Sequence, residues 1–144
     1  MTPPPGEPAH PTPTEILRAR GLRATTARIA IIEALRAAEH PTVEALHRAV
    51  APLGIALTTV YRTLETLEHA GVVWAIHVPE TGRTYHVGTH PPHAHLLCES
   101  CGRLEDLEGV PPAADWAVPE GFSVAHVQVT VFGTCAACRD APPA

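Results

Sequence analysis

The chain contains no lysine: all ten basic residues are arginine, against fifteen acids, for a formal net charge of −5 over 144 residues. That balance excludes a uniformly cationic nucleic-acid binder and leaves only local basic stripes to meet phosphate. No apolar run is long enough to cross a bilayer. The opening MTPPPGEPAHPTPTE lacks the apolar stretch of a secretory leader, so a secreted disulfide framework is not expected and a cytoplasmic protein is. Cysteine is scarce, with four in all.

Those four form two Cys-x-x-Cys hooks, Cys98/Cys101 and Cys135/Cys138. Two thiolate pairs make a cage for one tetrahedral zinc, since each pair clasps two corners of the metal. Gly102, directly after the first pair, suits a knuckle turn. A closed four-thiolate site leaves no position for substrate, so its role is to hold the fold. Structural zinc is worth roughly 10 to 16 kcal/mol in small finger peptides, comparable with the roughly 5 to 15 kcal/mol of a whole domain. The enzyme alternatives need features that are absent. A thiol oxidoreductase needs a Cys pair opening a helix in a βαβ unit, and a zinc deaminase needs His-x-Glu ahead of Pro-Cys-x-x-Cys. A zinc-stapled adaptor that binds only protein is a third reading.

Five prolines in residues 1–12 predict a disordered tail. Thr12, Pro13 and Glu15 mark a helix start with a capping box, and Gly21 its end. Thr25 opens a second helix, closed by His40-Pro41; Thr42 caps a third with Val43, Leu46 and Val50 inward. Thr58 opens a fourth, with Val60, Leu64 and Leu67 as its apolar stripe and Gly71 as its stop. Its other face carries Thr59, Arg62, Thr63 and Thr66 beside Tyr61, groups suited to phosphates and base edges. Arg18, Arg20, Arg23 and Arg28 form a basic stripe with no acid between Ile16 and Ile29. Val72–Val78 and Arg83–Val87 read as a hairpin, completing a winged helix-turn-helix. Short strands follow near His95–Cys98 and Arg103–Leu107, then a proline-interrupted helical patch around Trp116 and a longer strand from Phe122 to Phe132.

The fold class is thus α+β. Residues 13–88 form the winged helix and 89–138 a small α/β domain with the four-cysteine zinc site, followed by a tail at 139–144. Histidine crowds the join, at positions 77, 86, 90, 93 and 95.

The blocks GLRATTARIAIIEAL, HPTVEAL, LTTVYRTLETLEHAGVV, HAHLLCESCG and FGTCAAC, in that order, resemble the ferric uptake regulator family of metal-dependent repressors. The resemblance spans residues 21–138 and implies a homodimer joined through its C-terminal domains, binding an inverted-repeat operator in double-stranded DNA. It implies no membrane partner and no small organic substrate. Carried onto this sequence, the DNA contacts fall on Arg23, Thr59, Tyr61 and Arg62, and the structural zinc on Cys98, Cys101, Cys135 and Cys138. A second, regulatory divalent ion falls to His40, His86, His93, His95 and Asp106. His77, His90, His126 and Glu108 are candidates for a further site, while His47 and His69 read as helix-surface residues. An imidazole at His86, where iron-type and peroxide-sensing members usually carry a carboxylate, shifts the site toward nitrogen-preferring metals such as zinc or nickel; the sensed ion leans to zinc, with an iron-, manganese- or peroxide-responsive regulator of the same family as the alternative.

Overall fold

The computed structural model describes residues 10–88, 94–107, 116–124, 127 and 129–142. These divide into two compact units, one from Met1–Ile76 with Thr84–Gly88 and one from His77–Arg83 with Thr89–Ala144.

The first unit is built on four helices: α1 (Pro13–Ala19), α2 (Thr26–Ala37), α3 (Val43–Val50) and α4 (Leu57–His69). Threonine hydroxyls cap the first three, Thr12 to Glu15 N, Thr25 to Arg28 N and Thr42 to Ala45 N, satisfying amides that the helix leaves without partners. At α1 the capping box is complete: the Thr12 amide donates to Glu15 Oε2 at 2.7 Å and the Glu15 amide to Thr12 Oγ1 at 3.2 Å. These bonds to the ionised form hold the Glu15 carboxyl below its ordinary range, the Thr12 backbone contributing most.

Two helix boundaries and the burial of one side chain differ from expectation. Helix α2 ends at Ala37, with Ala38 already extended, so His40-Pro41 lies in the connection rather than at the stop. Helix α4 opens at Leu57 behind Ala56, and no side chain caps it, so Thr58 is not its first residue. Thr63 is buried with Val60, Leu64 and Leu67 instead of joining the polar face. Positions 60, 63, 64 and 67 fall on one side of a 3.6-residue helix, and that spacing outweighs the hydroxyl.

The core of this unit is aliphatic. Leu17, Ile31, Ile32, Leu46, Leu64 and Leu67 are fully buried across the four helices, joined by Val72, Val73 and Val87 from the hairpin stem. That hairpin comprises β1 (Val73–Val78) and β2 (Gly82–Val87). A short bridge pairs Thr42 antiparallel with Thr84, and the Tyr85 amide donates to the Pro41 carbonyl at 3.0 Å.

The second unit is a sheet of order β4-β3-β5, from β3 (Ala94–Cys98), β4 (Leu104–Leu107) and β5 (Val129–Gly133), followed by the single-turn α5 (Ala136–Arg139). Strand β3 runs antiparallel to β4 and parallel to β5. The long strand expected from Phe122 is shorter: Phe122–Val124 are irregular, and regular pairing covers Val129–Gly133. No helix forms at Trp116, which sits in a bend followed by irregular chain to Pro119; a proline disfavours helical backbone in the residue before it. Residues 108–115, which precede Trp116, lie outside the described residues. Among the described residues, no helix is long and apolar enough to cross a membrane.

Candidate metal centres and DNA-reading helix

Sheet register brings the cysteines together. Cys98 ends β3 opposite Gly133 of β5, and the Glu99 amide donates to the Gly133 carbonyl at 2.9 Å. Two residues on, the Cys135 amide reaches Cys98 Sγ at 3.3 Å. The first hook is closed by Gly102, whose amide donates to the Cys98 carbonyl at 2.8 Å and whose φ of +73° is a left-handed conformation that glycine adopts without steric cost. All four Sγ atoms lie within 4.8 Å of one another. The Cys101–Cys135 separation is 3.8 Å, and a tetrahedron with Zn–S bonds of about 2.3 Å has edges of about 3.8 Å.

The thiols do not ionise alike. Backbone amides, that of Cys135 foremost and then that of Cys101, stabilise the Cys98 thiolate and bring its pKa down to about 6. The Cys138 thiol is pushed up to about 12, first by its hydrogen bond with Cys101 and then by that with Cys135. Four thiolates cannot gather here without a cation to offset their repulsion. Donor type, number and spacing all fit a structural zinc.

Two further pairs of side chains able to ligate a metal are also set by register. In the first unit, Thr42 opposite Thr84 and Pro41 opposite Tyr85 place His40 opposite His86. Their rings meet edge to face, with centroids 5.7 Å apart and planes at 73°. His40 holds φ of +47°, an uncommon conformation for a side chain other than glycine, which turns the chain into Pro41. In the second unit, His95 of β3 stands opposite Asp106 of β4, with Nε2 3.5 Å from Oδ1. His95 is buried and Asp106 exposed. Neutral imidazole and carboxylate are the donor set of zinc, iron and manganese sites. His77 is exposed on β1. His93, His90, His126 and Glu108 lie outside the described residues.

On α4, Thr59, Tyr61 and Arg62 are exposed and share no part in the core. Arg23 is exposed in the α1–α2 connection, where its carbonyl accepts from Arg28 Nη1 at 2.9 Å. The basic stripe therefore splits by role. Arg28 is tied to the Arg23 backbone, and Arg20 Nη1 donates to the Ala70 carbonyl at 3.0 Å, closing the end of α4. A cation at a helix C-terminus is favourable because the last carbonyls carry partial negative charge. No local sequence signal marks this contact, which joins residues fifty positions apart.

Residues 19–132 match the ferric uptake regulator family. The zinc uptake regulation protein of Mycobacterium tuberculosis is 35% identical over 129 residues, covering 85% of this chain and 99% of that one. The ferric uptake regulation protein of Campylobacter jejuni is 30% identical over 134 residues, 88% of this chain and 85% of that one. The crystal structure of the Vibrio cholerae ferric uptake regulator superposes with a TM-score of 0.61 at 26% identity, covering 85% of this chain and 98% of that chain. With a thiolate cage of zinc dimensions, an imidazole pair and an imidazole–carboxylate pair held by register, these likenesses lead to one conclusion: the chain belongs to the ferric uptake regulator family of metal-responsive transcriptional regulators.

Proposed function

We propose that this protein is a cytoplasmic homodimeric repressor that binds inverted-repeat operators of metal-uptake genes when its regulatory ion, zinc, is bound. In this reading the winged helix spans residues 13–88 and the dimerisation domain 89–138. Helix α4 enters the major groove with Thr59, Tyr61 and Arg62 toward base edges and phosphates, while Arg23 meets the backbone. His40 and His86 of the first unit, with His93, His95 and Asp106 of the second, form the regulatory ligand set. An ion bound by both groups favours the arrangement of reading heads that matches successive grooves, and so couples metal level to DNA affinity.

The observation that carries this reading is the His40–His86 pairing, because no core-packing need explains two imidazoles set face to edge at the entrance to a hairpin. Homodimerisation is supported by the apolar side chains exposed on the second unit among the described residues, including Phe132, 55% exposed on β5.

The test is metal content together with DNA binding. The protein is expected to keep one zinc per subunit after mild chelation and to take up one exchangeable ion. Operator duplex, selected from random sequence by the loaded protein, should then shift in a gel only with that ion present. Parallel titrations with zinc, iron(II) and manganese(II) rank the metals. Uptake of a second equivalent without any rise in DNA affinity would falsify the switch.

A further inference from the structure

Trp74 has no role in the ligand set above, yet the hairpin brings it to the regulatory histidines. The Gly88 amide donates to the Val72 carbonyl at 2.8 Å, pairing these residues across the antiparallel arms of β1 and β2. Counting two residues along each arm sets His86 opposite Trp74. Since His86 is also opposite His40 on its other side, register places the three residues in one row across three adjacent segments, on one face, with the His40 and His86 rings in edge-to-face contact.

The indole is not simply laid over the surface. A Cβ built on Gly88 would run into Trp74 Nε1 and Cδ1 and lie 2.9 Å from Cε2. The ring therefore occupies the space that any other residue at 88 would fill, and only glycine permits so close an approach. Gly88 is also the last residue of the first unit before the chain passes to Thr89.

We propose that Trp74 is a positioning residue for the regulatory metal. Its indole, seated on Gly88, walls the His86 side of the site, fixes the orientation of that imidazole and keeps water from the bound ion. The inference rests on the regulatory reading of His40 and His86 given above. Groups around metal ligands typically change affinity 10- to 100-fold when removed, because they set ligand orientation and solvent access. A ring contact of this kind is kept by another aromatic ring and lost with a methyl.

The experiment uses the full-length protein with its four-cysteine zinc in place and the exchangeable ion removed. Trp116 is replaced, Trp116→Phe, so that Trp74 is the sole indole, and zinc is added in competition with a chromophoric chelator. Trp74 emission is expected to change saturably and to finish at one equivalent. Zinc affinity should fall about 10-fold or more in Trp74→Ala and stay within about 3-fold in Trp74→Phe. Gly88→Ala, which drives the ring away while leaving it present, should weaken zinc in the same direction as Trp74→Ala. Emission that ignores zinc, or a Gly88→Ala protein that binds zinc as tightly as wild type, overturns the proposal, and the latter result does so even where Trp74→Ala fails to fold. Failure of the wild-type protein to take up any second equivalent sinks the regulatory reading itself, a result separate from loss of the Trp74 effect alone.

Discussion

The two units solve the same problem by different means. The first buries a continuous aliphatic core from four helices and a hairpin stem, with Leu17, Ile31, Ile32, Val60, Leu67 and Val73 wholly enclosed. The second has a three-stranded sheet, and the unit's buried apolar positions among the described residues are few, Val78 at the end of β1 with Ala94, Leu97 and Cys98 of β3, while Trp116, Phe122, Val131 and Phe132 are exposed. A helical unit can exclude water by itself. A thin sheet with so few buried apolar side chains among the described residues gains less from burial, and the four-cysteine metal site supplies what that core does not. Stability and sensing are thus held by different chemistry in one chain.

The sharpest way to break this contrast is to remove the staple. Cys98→Ser is expected to abolish the structural zinc, whose binding is worth roughly 10 to 16 kcal/mol in finger peptides, and to unfold the second unit. Amide hydrogen exchange should show β3 to β5 losing protection while α2 and α4 keep theirs. Equal loss in both units would show that the helical core does not stand alone. The reciprocal cut is Leu64→Ala, expected to cost about 2 to 5 kcal/mol in denaturant unfolding of the first unit, with zinc content unchanged.

A functional substitution sharpens the same division. Replacing His86 with Ala should leave the thermal midpoint of the zinc-retaining, ion-free protein nearly unchanged, and should remove the exchangeable equivalent seen by elemental analysis. Loss of the four-cysteine zinc in that variant would contradict the assignment of separate centres. A smaller effect falls on the DNA side. Arg23→Ala should lower the slope of log affinity against log salt by about one unit if Arg23 meets a phosphate, and an unchanged slope removes it from the interface.

The smallest expected effect lies in the α1 cap. Thr12→Ala should cost about 1 kcal/mol of unfolding free energy, confined to the first unit. Because the Glu15 carboxyl is held below its ordinary range, its share of stability is fully present above that range, near pH 4.3, and fades as pH falls through the lower folded value. A Glu15→Gln protein should therefore show a flatter loss of stability on acidification than wild type. Identical acid curves would remove Glu15 from the cap.

Much of this could be read from residues alone wherever the cause is local. Thr12 and Glu15 specify a cap within one turn, Val43, Leu46 and Val50 specify a helix face by their spacing, and the paired Cys-x-x-Cys hooks specify a metal by count and type. Reading failed where a local signal competed with a neighbour distant in sequence. Thr63 looked polar but its place on the helix put it inside, and nothing local in the basic stripe marked the bond by which Arg20 closes the end of α4. The apolar residues from Phe122 onward looked like one strand, yet among the described residues Phe122–Val124 are irregular and regular pairing covers Val129–Gly133.

What the sequence determined by itself is the set of chemical groups and the secondary structure that follows from spacing: four thiols in two hooks, imidazoles near the join, helices with capped starts. What tertiary structure alone decided is which of those groups meet. His40 finds His86 because Thr42 pairs with Thr84, His95 finds Asp106 because β3 and β4 run antiparallel in that register, and Cys135 finds Cys98 because β5 lies parallel to β3. Strand register depends on contacts between segments far apart in the chain, and a slip of one residue would turn every such side chain to the opposite face.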